Sequence, residues 1–208
     1  IYWFVCVAIV IVLTAPYLAS GPAAQYRVVL ADQPKPPRNS TWFWIFQTVS
    51  SMTNTGMSLC DSSLSNPLRQ SYMMLVPQMI LIIIGNTGFP IMLRFVIWFM
   101  SRCVSKQSRT YETLSFLLDH PRRCYLYLFP SHNTWFLLFV LFILTVSDWF
   151  LLMICDLATR HAFPSNGTWI FSSLFQSVST RSSGFQTFDI LSLTASERLL
   201  EVVMMYIA

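Results

Sequence analysis

The sequence predicts an all-α membrane protein built from repeated units of helix, re-entrant loop and helix. Three observations carry this. First, only 11% of the 208 residues are charged and 54% are hydrophobic, against roughly 25% charged in a soluble domain. Second, three apolar stretches are long enough to cross a bilayer, and two shorter ones are not. Third, the chain repeats itself at an offset of 127 to 129 residues. The mean hydropathy of +0.54 agrees with the first point. The composition excludes a disordered chain, a basic nucleic-acid binder and a secreted disulfide scaffold.

The first apolar segment, Ile1 to Ala19, carries no charge. It lacks the basic start of a signal peptide. A polar loop with Pro22, Pro34, Pro36 and Pro37 follows. Trp42 to Val49 is apolar but too short to cross, and it runs into Ser50-Ser51-Met52-Thr53-Asn54-Thr55-Gly56. A short apolar helix followed by small polar residues, between two spans, is the pattern of a re-entrant loop. Non-helical backbone at membrane depth is tolerated only where protein buries it or water reaches it.

Tyr72 to Met100 is the second span, roughly 43 Å long if it were one helix. Gly85-Asn86-Thr87-Gly88-Phe89-Pro90 interrupts it, and Gly with Pro should kink or unwind the helix there. That break serves either as a gate or as a packing kink. Residues 101–133 read as a polar loop. Trp135 to Cys155 is the third span and contains Asp148. Trp169 to Val178 is a second short apolar helix, followed by Ser179-Thr180-Arg181-Ser182-Ser183-Gly184, and Leu199 to Ala208 opens a fourth span. Both ends of the chain fall within apolar runs, so a piece of a longer polypeptide is expected. The domain reading is one unit over 1–104, a cytoplasmic linker over 105–134 and a partial unit over 135–208.

Basic residues set the orientation. The 101–133 loop holds five Lys/Arg in 33 residues, against four in 52 over 20–71 and three in 43 over 156–198. The middle loop is therefore assigned to the cytoplasm. The sequons at Asn39 and Asn166, candidate glycosylation sites, both fall on the opposite side.

The repeat pairs Asn39-Ser40-Thr41-Trp42 with Asn166-Gly167-Thr168-Trp169, and Phe46-Gln47-Thr48-Val49-Ser50 with Phe175-Gln176-Ser177-Val178-Ser179. Gly56 pairs with Gly184, and Asp61 with Asp189. Both short helices enter from one face, so the units are related by an axis along the membrane normal, which suits a central pore. A desolvated cation needs replacement oxygens, and backbone carbonyls supply them without proton chemistry. This makes Thr53, Asn54, Thr55 and Gly56 of one loop, and Thr180, Arg181, Ser182, Ser183 and Gly184 of the other, the candidate coordinating residues. The helix C-termini that precede them favour a cation. Asp61 and Asp189 either concentrate cations at the outer mouth or cap turns. Arg181 would repel a cation, so its head is expected to point back into protein or outer water. Asp148 and Arg94 are intramembrane charges with structural and functional readings both open.

No catalytic residues are expected. The histidines His120, His132 and His161 are scattered, and no HExxH, GxSxG or paired intramembrane carboxylates occur. The cysteines, Cys6, Cys60, Cys103, Cys124 and Cys155, have no metal-site spacing. No cofactor and no nucleic-acid partner are expected.

Three segments carry a family resemblance. They are Gly85-Asn86-Thr87-Gly88-Phe89-Pro90-Ile91-Met92-Leu93-Arg94-Phe95, the loop from Glu112 through His120-Pro121-Arg122-Arg123-Cys124, and Phe175-Gln176-Ser177-Val178-Ser179-Thr180-Arg181-Ser182-Ser183-Gly184-Phe185. The chain resembles the fungal Trk-type potassium transporters of the Trk/Ktr/HKT group. That resemblance implies four membrane–pore-loop–membrane (M-P-M) units around a pseudo-fourfold pore in a multi-pass plasma-membrane protein. This chain would supply the second unit and most of the third, with the filter glycines at Gly56 and Gly184 and K+ held by filter carbonyls. The implied partners are lipid, K+ and the remaining units of the parent polypeptide, with a homo-oligomer left open. The rival expectation is a truncated fragment with no transport of its own.

Overall fold

The computed structural model describes residues 2–19, 39–60, 63–65, 68, 71–121, 125, 128–155, 165–188 and 193–207. All regular structure among them is helical: α1 (Tyr2–Ala19), α2 (Ser40–Thr53), α3 (Tyr72–Gly85), α4 (Phe89–Cys103), α5 (Arg109–Asp119), α6 (Ser131–Cys155), α7 (Asn166–Thr180) and α8 (Ala195–Ile207). The Pro-rich loop, the 156–164 connection, Asp61 and Asp189 lie outside the described residues.

The chain divides into two compact units, one of residues 1–86 with 145–208 and one of residues 87–144. In the first, α2 packs against both α1 and α3, and α7 packs against α3 and α8. Its core joins Phe43 and Trp44 of α2, Leu75 and Ile82 of α3, and Phe175 of α7 with Phe185 beyond it. Two contacts fix α2. The Trp44 indole N–H donates to the Thr14 hydroxyl of α1, and that hydroxyl in turn donates to the Val10 carbonyl at 2.7 Å. Gly85, at the end of α3, lies so close to the end of α2 that a Cβ there would stand 2.2 Å from the Met52 carbonyl oxygen. Small residues permit this kind of backbone approach between membrane helices.

In the second unit α4 packs against α5. The helix expected over Tyr72 to Met100 is interrupted at Asn86–Gly88, where Gly and Pro were expected to break it, and Pro90 takes a first-turn position of α4. Helix α5 departs from the polar loop expected over 101–133. The Ser108 hydroxyl accepts the Thr110 N–H at its start, and none of its residues is buried.

The distribution of polarity is inverted relative to a soluble core. Gln47, Ser51, Ser173 and Ser177 are wholly buried, while Phe142 is 65% exposed and Trp135 70%. Among the described residues, only α6 is by itself long and apolar enough to cross a membrane; α3 and α4 qualify when taken as one broken span. At 1.5 Å per residue, α2 and α7 reach only about 21–23 Å, short of the roughly 30 Å hydrocarbon layer.

Gly85→Ala should force the ends of α2 and α3 apart, because the atom it meets is backbone and cannot swing away. A cost of about 1–3 kcal/mol is expected, read as a lower thermal midpoint of the detergent-solubilised parent polypeptide. An unchanged midpoint would mean the helices do not pack this closely.

Candidate functional site

Helices α2 and α7 place many hydroxyls in a dry interior and satisfy several of them locally. Thr48 donates to the Trp44 carbonyl, Ser51 to Gln47, Ser173 to Trp169 and Thr180 to Gln176, each one turn back at 2.7–2.9 Å. Such back-bonding lets serine and threonine sit in a buried helix without an outside partner. The last carbonyls of each helix then depend on the loop that follows.

One serine organises each loop. The Ser50 carbonyl accepts the Asn54 and Thr55 N–H groups, and its hydroxyl donates to the Met57 carbonyl at 2.7 Å. The Ser179 carbonyl accepts the N–H groups of Ser182, Ser183 and Gly184 at 2.9–3.3 Å, and its hydroxyl donates to the Phe185 carbonyl, also at 2.7 Å. In both loops the hydroxyl reaches the residue just after the glycine. Gly56 has φ +68° and Gly184 φ +76°, the left-handed region that glycine enters at no steric cost. The first loop has one residue more between its serine and its glycine. Asn54, left-handed at φ 53°, lies within that longer stretch, whereas α7 ends on a right-handed Arg181. The one-residue drift in the repeat offset thus coincides with this difference in cap.

The loops meet. Ser182 Oγ donates to Asn54 Oδ1 at 3.1 Å. The Leu64 N–H donates to the Gln186 carbonyl, and the Gln186 N–H to Ser63 Oγ at 3.3 Å. Gly56 backs onto the Ser183 carbonyl, where a Cβ would stand 2.1 Å from the oxygen, whereas a Cβ on Gly184 would meet nothing within 4 Å. Among the described residues, the carbonyls of Asn54, Thr55, Gly56, Arg181, Ser182 and Gly184 accept no hydrogen bond. Thr53 and Thr55 are exposed and their hydroxyls lie 3.1 Å apart.

A polar bracket holds the second loop from behind. Gln176 Nε2 donates to Glu201 of α8 at 2.9 Å, while its Oε1 accepts the Thr187 N–H at 3.0 Å. The Thr187 hydroxyl also donates to the Ser172 carbonyl. Gln47, the repeat partner of Gln176, is equally buried but has no such bracket; both of its amide atoms lack a partner among the described residues. Asp148 is wholly buried, and neither carboxylate oxygen has a hydrogen bond among the described residues. It interacts electrostatically with the Arg181 guanidinium.

The structure brings residues 53–56 and 180–184 together. Asn39 and Asn166 are exposed and stand at the N-terminal ends of α2 and α7. Sequence reasoning passed over Ser50, Ser179 and the Gln176 bracket. The repeat had already aligned the two serines, but serine in an apolar helix carries no sign of which carbonyl its hydroxyl will reach. Among the described residues no cluster of His, Cys, Asp and Glu could hold a metal.

The comparisons with known proteins agree over most of the chain. The low-affinity potassium transport protein of Saccharomyces cerevisiae is 42% identical over 169 residues, 81% of this chain and 19% of its own length. The high-affinity potassium transport protein of the same yeast is 39% identical over 184 residues, 88% of this chain and 15% of its own length. Potassium transport protein 1 of Schizosaccharomyces pombe is 39% identical over 168 residues, 80% of this chain and 20% of its own length. The chain thus spans a fifth or less of these relatives. The family described as TrkH, cation transport protein, matches residues 1–208. The chain belongs to the TrkH family of cation transport proteins.

Proposed function

We propose that this chain supplies two of the four M-P-M units of a potassium uptake protein, each contributing one loop to a filter of backbone carbonyls. The observation that carries the proposal is the set of unengaged carbonyls flanking two positive-φ glycines in converging loops. Asn54, Gly56, Arg181 and Ser182 are half-buried; carbonyls shielded from water ordinarily find partners, and a dehydrated K+ is a partner they suit. The printed functions of the yeast relatives point to the same ion. Transport is proposed of the complete four-unit polypeptide, and the isolated 208 residues are read as non-conducting. The polypeptide is a multi-pass plasma-membrane protein in this reading, with residues 105–134 cytoplasmic. K+ moves inward down the membrane potential, worth about 2.3 kcal/mol per charge per 100 mV.

The proposed filter residues are Thr53, Asn54, Thr55 and Gly56 with Thr180, Arg181, Ser182, Ser183 and Gly184, and the outer-mouth acids are Asp61 and Asp189. Arg181 interacts with Asp148, so its charge is offset on the protein side. Ser50 and Ser179 hold the carbonyls in place, a preorganisation that direct coordination requires.

The two glycines should not be equivalent. Gly184→Ala carries only the strain of a left-handed alanine, about 1–2 kcal/mol, whereas Gly56→Ala also collides with the Ser183 carbonyl. In a potassium-uptake-deficient yeast expressing the full polypeptide, Gly56→Ala should abolish growth on low potassium and Gly184→Ala should only weaken it. Bulky residues at either position should abolish growth, and normal growth of both bulky variants would sink the filter assignment.

Removing a serine hydroxyl frees the loop without changing its backbone. Ser50→Ala and Ser179→Ala should each lower rubidium uptake about tenfold, the equivalent of one buried hydrogen bond. Threonine at either position keeps the hydroxyl and should keep most of the rate. Uptake unchanged by both alanine substitutions would remove the serines from the mechanism.

A further inference from the structure

We infer that the cavity between α4 and the start of α6 binds an anionic phospholipid, with its phosphate on Arg94 and an acyl chain along Trp98, Trp135 and Leu138. The cavity has a volume of about 470 Å³ and lies wholly within the 87–144 unit, in the size range of ligand pockets. Its polar end is built. Arg94 Nη1 donates to the Phe129 carbonyl at 2.7 Å, which fixes the guanidinium but occupies one of its five N–H donors. No carboxylate lines the cavity, so this charge is not offset there. Ser131, the first residue of the 25-residue helix α6, also lines it; Thr134 lines it too, but its N–H and hydroxyl already donate to the Pro130 carbonyl. A helix N-terminus favours an anion.

The remaining wall is apolar and open. Trp98 is 45% exposed, Trp135 70% and Leu138 40%. A free phosphate ion would make no use of that surface, whereas a phospholipid uses both ends. A second cation, Arg102, sits 5.2 Å from the Trp98 ring centroid. The basic residues of 101–133 assign this end of α4 to the cytoplasmic leaflet, where anionic lipids concentrate. The inference rests on that proposed orientation and is independent of the filter.

The test is native mass spectrometry of the full polypeptide titrated with phosphatidylserine, with phosphatidylcholine and with inorganic phosphate. Wild type should retain phosphatidylserine in preference to phosphatidylcholine, and excess inorganic phosphate should not displace it. Arg94→Gln should weaken phosphatidylserine binding about tenfold, the loss expected for a charge-assisted hydrogen bond. Arg94→Lys should restore most of it. Should Arg94→Gln fail to fold, Leu138→Trp, which fills the acyl end and leaves Arg94 in place, should weaken binding of the same lipid. Equal binding of the two lipids, displacement by inorganic phosphate, or wild-type retention in a folded Arg94→Gln or Leu138→Trp protein would each overturn the assignment. Low-potassium growth provides the separation from the filter reading: a failed lipid titration with an intact growth defect in Gly56→Ala leaves the filter standing.

Discussion

The backbone carbonyls at the buried ends of α2 and α7 set the terms for the rest of the structure. A helix leaves its last four carbonyls without internal partners, and the last turns of these two helices are buried in protein except at Thr53. Each end is closed by one serine, which takes loop N–H groups on its carbonyl and donates its hydroxyl to the residue after the glycine. That closure needs a left-handed residue, and glycine supplies it at both positions. Between serine and glycine the carbonyls of Asn54, Thr55, Arg181 and Ser182 then accept no hydrogen bond among the described residues, which is the state the proposed cation site would require.

The surrounding helices serve this arrangement. Helix α3 can approach the end of α2 only because Gly85 has no side chain, and α1 holds α2 through the Trp44–Thr14 hydrogen bond. Helix α8 reaches the second loop through Glu201 and Gln176, and Thr187 completes that bracket from the loop itself. Beside the aromatic core many polar residues are buried, and many large apolar residues face outward, an order that suits a lipid surround. Within that order the wholly buried Asp148 interacts electrostatically with the half-buried Arg181, and an opposite charge offsets part of the cost of keeping a charge out of water.

The two halves are related but not identical, and the differences have physical content. The extra residue in the first loop accompanies a left-handed Asn54. Gly56 is enclosed by the second loop, whereas Gly184 opens onto free space. Gln176 is bracketed and Gln47 is not. A filter made of such unequal loops would distribute its constraints unevenly, so equivalent substitutions need not have equivalent effects.

Much of the element pattern was legible in the sequence. Apolar length separated α6 from the short helices α2 and α7, and Gly85 to Pro90 marked the break between α3 and α4. The repeat singled out Gly56 and Gly184, because a left-handed position leaves a glycine in the sequence. Helix α5 was missed because its residues are all at least partly exposed, so no dominant apolar run announced it. The serine clamps, the Gln176 bracket and the burial of Asp148 were decided by tertiary structure alone. Each depends on which carbonyl or charge comes within about 3–4 Å across a sequence gap, a distance that neither periodicity nor composition encodes. Sequence alone sufficed for the apolar helices, for which of them are short and for where the backbone must turn left-handed. Packing alone decided which polar groups found partners and which carbonyls remained open.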